Sequence, residues 1–143
     1  MKITLLVLIS VAILSCSGKM SENKHKTINK NKDELPEFNF KKEAHDFGTI
    51  KSGERLIYSF LFTNEGNSEL VINSAKTDCS CINVIFPQKA ISPGEKGIVE
   101  VEFNSVGMYG KQLKTVELQS NCKEPKHLVI FAQVENEQIE FKY

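Results

Sequence analysis

From Leu56 to Thr63 the side chains alternate strictly. Leu56, Tyr58, Phe60 and Phe62 fall on one side, and Ile57, Ser59, Leu61 and Thr63 on the other. That is the period-two signature of a strand with one face in a core. Shorter runs share the habit. Phe38 and Phe40 alternate with polar neighbours. Glu69–Asn73 predicts a strand running on toward Lys76, and Ile82–Phe86 another, stopped by Pro87. Ile98–Phe103 points Val99, Val101 and Phe103 inward and Glu100 and Glu102 outward. In Lys111–Ser120, Leu113 is out of phase with Val116 and Leu118, which predicts a bulge. Leu128, Ile130, Ala132 and Val134 line one face of a last long strand. The punctuation is made of turn-forming residues. His45-Asp46-Phe47-Gly48 and Ser52-Gly53-Glu54 read as turns, as do Asn64-Glu65-Gly66-Asn67 and Ile91-Ser92-Pro93-Gly94-Glu95. No stretch keeps a helical period. Seven short strands separated by such turns predict an all-β fold, an antiparallel β-sandwich. Ile139, Phe141 and Tyr143 alternate in the tail, which is either one more edge strand or a docked end.

The first residues follow a different rule. Lys2 precedes an apolar run from Ile3 to Leu14, broken only by Thr4 and Ser10. A bilayer-spanning helix needs about 20 apolar residues, so this run fits a secretory signal peptide at 1–15 instead. Ile13-Leu14-Ser15-Cys16 resembles a bacterial lipobox, although Leu14 is bulkier than the usual small residue there. The resemblance implies cleavage before Cys16, a diacylglyceryl group on its sulfur and acylation of the new amino terminus. Such chains anchor a protein stably to a lipid bilayer. Residues 16–37 are rich in Lys, Asn, Ser and Glu and have too few apolar side chains to offset ordering entropy, so they read as a flexible tether. No aspartate follows at Ser17-Gly18-Lys19 to suggest inner-membrane retention. The expected address is the outer membrane of a bacterial cell envelope, facing the periplasm. The folded domain is expected at 38–143.

Taken together the motifs have a family likeness. His45, Asp46, Phe47, Gly48 and Ile50 come first, then Gly53-Glu54, and then a strand ending Phe62, Asn64, Gly66. Leu70 and Ile72, Cys79 and Cys81, and Ile91 with Pro93-Gly94-Glu95 follow in order. Val101 and Phe103, and Leu128, Ile130, Ala132 and Val134, complete the series. This series is similar to the bacterial "domain of unknown function 1573" family. The resemblance implies an immunoglobulin-like sandwich akin to domains of cilia and centrosome proteins and to the amino-terminal domain of pilus chaperones. It implies no activity. Ala132 stands where many such domains carry glycine, and Cys122 looks like an addition.

Composition narrows the function classes. The 143 residues carry 18 Lys+Arg against 18 Asp+Glu, so charge gives no reason to expect nucleic acid. No phosphate-binding glycine loop and no basic, aromatic stripe is present. His25, His45 and His127 are scattered; Asp46 after His45 is expected to bond its own turn's amides. Nothing calls for a cofactor, and no catalytic or metal residues are assigned. Of four cysteines, a lipidated Cys16 leaves Cys79, Cys81 and Cys122. In a regular strand Cys79 and Cys81 would have Cα atoms about 6.5–7 Å apart, at the limit for a disulfide, so a bond between them requires a tight turn. A bond from either to Cys122 is not expected, because their loops belong at opposite ends of the strands. Three readings of Cys79 and Cys81 stay open: a local disulfide or thiols pinning a loop, a redox-active or metal-capturing pair, and an intermolecular bond, for which Cys122 is the better candidate. The expected function is a membrane-anchored, non-enzymatic module of the envelope, either a protein-interaction module with an unidentified envelope protein partner or an envelope-structural one. A thiol-redox or metal-handling protein is the alternative.

Overall fold

The computed structural model describes residues 35–135; the expected signal peptide, Cys16, most of the expected tether and the tail lie outside the described residues. Eight strands form two four-stranded sheets. They are β1 (Phe38–Phe40), β2 (Ala44–Lys51), β3 (Arg55–Asn64), β4 (Ile72–Thr77), β5 (Ile82–Ile85), β6 (Lys96–Asn104), β7 (Gly110–Ser120) and β8 (Lys126–Glu135). One sheet has the order β1-β3-β6-β5 and the other β2-β8-β7-β4. The alternation in the sequence decides the layering. Phe60, Phe62, Val99, Val101 and Phe103 of the first sheet face Val116, Leu118, Leu128, Ile130 and Val134 of the second, all at most 2% exposed. Removing each such side chain from water contributes roughly 1.5–3 kcal/mol.

The eighth strand comes from residues expected to turn. His45-Asp46-Phe47-Gly48 lies inside β2, which pairs in parallel with β8 rather than antiparallel. Its register slips between Asp46 and Thr49, opposite Phe131 and Gln133, so one extra residue sits on β2. Gly48 takes φ +71° there, and Asp46 Oδ1 accepts its N–H at 2.8 Å. Turn chemistry is thus present but makes a β-bulge. The bulge predicted at Leu113 is absent: β7 pairs with β8 in unbroken register from Gly110 to Leu118, and Leu113 lies outward opposite Phe131. The irregularity on that side falls in β4, between Ile72 and Ser74.

Two buried polar residues tie off the ends. Asn64, fully buried, accepts the N–H groups of Glu37 (3.2 Å) and Gly66 (3.0 Å) on Oδ1, and donates through Nδ2 to the carbonyls of Ser68 (2.8 Å) and Ile91 (2.9 Å). It therefore fastens the incoming chain, its own turn and the Ile91–Glu95 turn. Leu35–Glu37, the end of the expected tether, passes so close over Gly66 that a Cβ there would lie 2.6 Å from the Glu37 nitrogen. At the opposite end buried Ser105 donates from Oγ to the carbonyls of Lys51 (2.9 Å) and Glu54 (3.0 Å), closing the β2–β3 turn that contains Gly53.

Candidate functional site: an open strand edge and a cysteine loop

The chain leaves the first sheet after Phe40 to enter the second at Ala44. Short β1 therefore covers only Phe62–Asn64 of β3, and Lys41 adds one N–H bond to the Leu61 carbonyl (3.1 Å). On the other side β3 is paired with β6 along Arg55–Thr63. Backbone groups of a strand point alternately to its two neighbours. Leu61 points toward β1, so Ile57 and Ser59 point the same way, where no described strand pairs with them. That is a short open edge, the feature that accepts an added strand.

Its surroundings are shaped by the same switch. His45 of β2 lies over Tyr58 of β3, and Phe47 beside it stacks toward Phe103 of β6 at 6.5 Å between centroids. The His45 ring stacks on Tyr58 at 3.6 Å between centroids, Phe47 meets His45 edge-on at 4.7 Å, and Tyr58 meets Phe60 edge-on at 4.8 Å. Burial lowers the His45 pKa below its usual 6.5, Lys42 lowers it further and Asp46 opposes them. A groove of about 150 Å³ runs here, lined by Lys41, Lys42, Tyr58, Ser59, Phe60 and Leu61. Ile57 is 63% exposed and Leu61 41%, so apolar side chains flank the edge on its outer face. No serine or cysteine is hydrogen-bonded to His45 among the bonds of the described residues, and the ring serves as packing. The arrangement can grip an extended segment; it holds no nucleophile set against a base.

Family comparison covers most of this fold. Residues 38–134 match the family described as "Protein of unknown function (DUF1573)". The chain belongs to that family. Among curated proteins none matches this DUF1573 chain by sequence. Solved structures similar to it include a protein of unknown function from Porphyromonas gingivalis W83, with 14% identity and a TM-score of 0.63, covering 71% of this chain and 48% of that one. The ASH/PapD-like domain 7 of human CEP192 has 12% identity and a TM-score of 0.55, covering 91% of this chain and 99% of that domain. The VesB protease of Vibrio cholerae has 17% identity and a TM-score of 0.53, covering 71% of this chain and 32% of that protein. This DUF1573 chain thus spans about half of the Porphyromonas protein and a third of the protease. At such identities the likeness is one of fold, a PapD-like, immunoglobulin-like sandwich.

The remaining DUF1573 motif residues are spread around the sandwich. Pro93 and Gly94 sit in the turn before β6, where the Gly94 N–H donates to the Asn64 carbonyl (2.7 Å) and Glu95 Oε2 accepts the Ser92 N–H (2.9 Å). Cys79 and Cys81 lie at the opposite end, in the β4–β5 loop, with Cα atoms 5.2 Å apart and a disulfide between them. The loop curls tightly enough for the Cys81 N–H to donate to Cys79 Sγ at 3.1 Å, and Thr77 Oγ1 to the Cys79 carbonyl at 3.1 Å. Joined in this way, the sulfurs offer no thiolate to a metal ion. Cys122, in the β7–β8 turn beside the incoming Leu35–Glu37, is a free cysteine. Sequence reasoning missed Ser105 and the open edge. A lone serine after a strand carries no signal, and the edge exists only because β1 and β2 part company.

Proposed function

We propose that this chain is a bacterial lipoprotein, held to the envelope by acyl groups on Cys16, whose sandwich is a non-enzymatic docking module for an envelope protein. The lipobox-like Ile13-Leu14-Ser15-Cys16 supports the anchor, and its context supports an outer-membrane, periplasm-facing address. One observation carries the docking role: Ile57 and Ser59 present backbone groups that no described strand pairs with, beside an apolar groove. Lys41 and Lys42 on its rim favour an extended partner segment with acidic residues flanking apolar ones. Main-chain bonds would supply affinity and the groove between Tyr58 and Leu61 would select the side chain.

The test is capture from detergent-solubilised envelopes with the wild-type chain and with Ser59→Pro. Proline at 59 removes an outward-facing N–H and leaves the ladder to β6 intact, which edge positions tolerate. A specific protein retained by the wild type and lost by a folded Ser59→Pro variant is the expected result. An empty eluate, or equal retention by both, refutes the proposed site.

A further inference from the structure

The Cys79–Cys81 bond is poorly suited to the usual task of a disulfide. It joins residues two apart, and the gain from restraining an unfolded chain grows with the loop closed. It fastens no distant elements either, because backbone bonds already hold the loop: Ile82 pairs with Phe103, and the Asn104 N–H donates to the Cys81 carbonyl at 2.9 Å. Both cysteines are half-buried, and Ser80 between them is exposed. The two sulfurs have different surroundings. Cys79 Sγ receives the Cys81 amide N–H, a donor that stabilises a thiolate. Cys81 lies on a polar cleft of about 200 Å³ with Arg55, Ser80, Asn83, Glu102 and Asn104. Arg55 is the cation of that cleft, and Glu102 pairs with it at 3.3 Å.

We infer that the Cys79–Cys81 loop is a thiol–disulfide exchange site that accepts electrons from a dithiol, such as a reduced cysteine pair of another envelope protein. A substrate thiolate enters the cleft and attacks Cys81 Sγ. The Cys79–Cys81 bond breaks, and Cys79 leaves as a thiolate held by the Cys81 amide. The second substrate thiolate attacks the substrate sulfur of the mixed disulfide and releases Cys81. Two electrons have then passed to the loop, the substrate holds a disulfide, and the two protons from its thiols are taken up by Cys79 and Cys81 or by solvent. The lower thiol pKa marks the better leaving group, which is why the asymmetry of the two sulfurs sets the order of attack. This activity is independent of the open β3 edge.

Full-length protein carrying Cys122→Ser tests the inference, with each cysteine followed by peptide mass so that Cys16 is scored apart. Treated with excess reduced glutathione, the bond is expected to open completely and to close again in oxidised glutathione, while the thermal midpoint moves by less than about 4 °C. A bond that stays closed, or a domain that unfolds when it opens, overturns the inference in favour of a structural bond. The asymmetry is read on Cys122→Ser combined with Cys81→Ser or with Cys79→Ser, as the pH profile of alkylation of the remaining thiol. Cys79 is expected to react with a midpoint below the ordinary thiol value of about 8.5, and at pH 7 at least tenfold faster relative to its own high-pH plateau than Cys81. Coincident profiles overturn the proposed order of attack.

Discussion

At the scale of single residues, stability is concentrated in side chains that the turns conceal. Asn64 makes four side-chain hydrogen bonds in a site sealed from water. Asn64→Ala removes them together and leaves the Glu37 and Gly66 amides and the Ser68 carbonyl without this partner, while the Ile91 carbonyl keeps the Leu70 N–H. It is therefore expected to cost about 2–3 kcal/mol, read as a lowered urea midpoint. The Asn64-x-Gly66 pair was legible as a turn. Its role as a clasp was not, because Glu37 and Ile91 each lie 27 residues away along the chain. His45 gives a pH dependence with a definite sign. Its folded pKa lies below its unfolded value of 6.5, so the unfolded chain binds the proton more tightly. The contribution is fully present above pH 6.5 and is lost as pH falls from there through the folded pKa. Thermal midpoints of wild type and His45→Phe, compared between pH 7.5 and 5, are expected to diverge, with the phenylalanine variant falling less.

At the scale of elements, β2 shows where local reading ends. A turn and a β-bulge both call for a glycine at positive φ beside an aspartate that bonds it. Only the pairing of Ala44–Lys51 with a strand more than eighty positions later distinguishes them. Gly48→Val forces a β-branched residue to φ +71° and is expected to destabilise the domain by about 1–3 kcal/mol in denaturant titration. Leu113 makes the complementary point. Its broken phase reflects an outward apolar pair with Phe131, not an inserted residue. Leu113→Lys is accordingly expected to change stability by no more than about 0.5 kcal/mol, whereas a core position would lose several times that. The long strands β3, β6 and β8 were legible in the sequence, and β7 apart from the bulge expected at Leu113, because one face of each is buried along much of its length and alternation reports that directly.

At the scale of the whole molecule, the fold class, the sandwich and the family follow from patterns spread over the chain, and the open edge follows from none of them. It arises where β1 leaves β3 early, a property of topology rather than of any residue at the site. The proposed anchor is a separate matter, read from the first sixteen residues alone. Intact mass of the protein from envelopes is expected to show cleavage before Cys16 and the added mass of acyl chains. Cys16→Ser is expected to release the domain from the membrane fraction.

The clasp of Leu35–Glu37 over Gly66 fixes where the chain enters the sandwich, at the end opposite the Cys79–Cys81 loop. With the chain held at Cys16 as proposed, attachment at that end would leave the cysteine loop the part of the domain farthest along from the anchor and open to surrounding fluid. Reductants too bulky to approach a bilayer surface would still reach Cys81, and the length of the leash would set how far from the membrane they meet it.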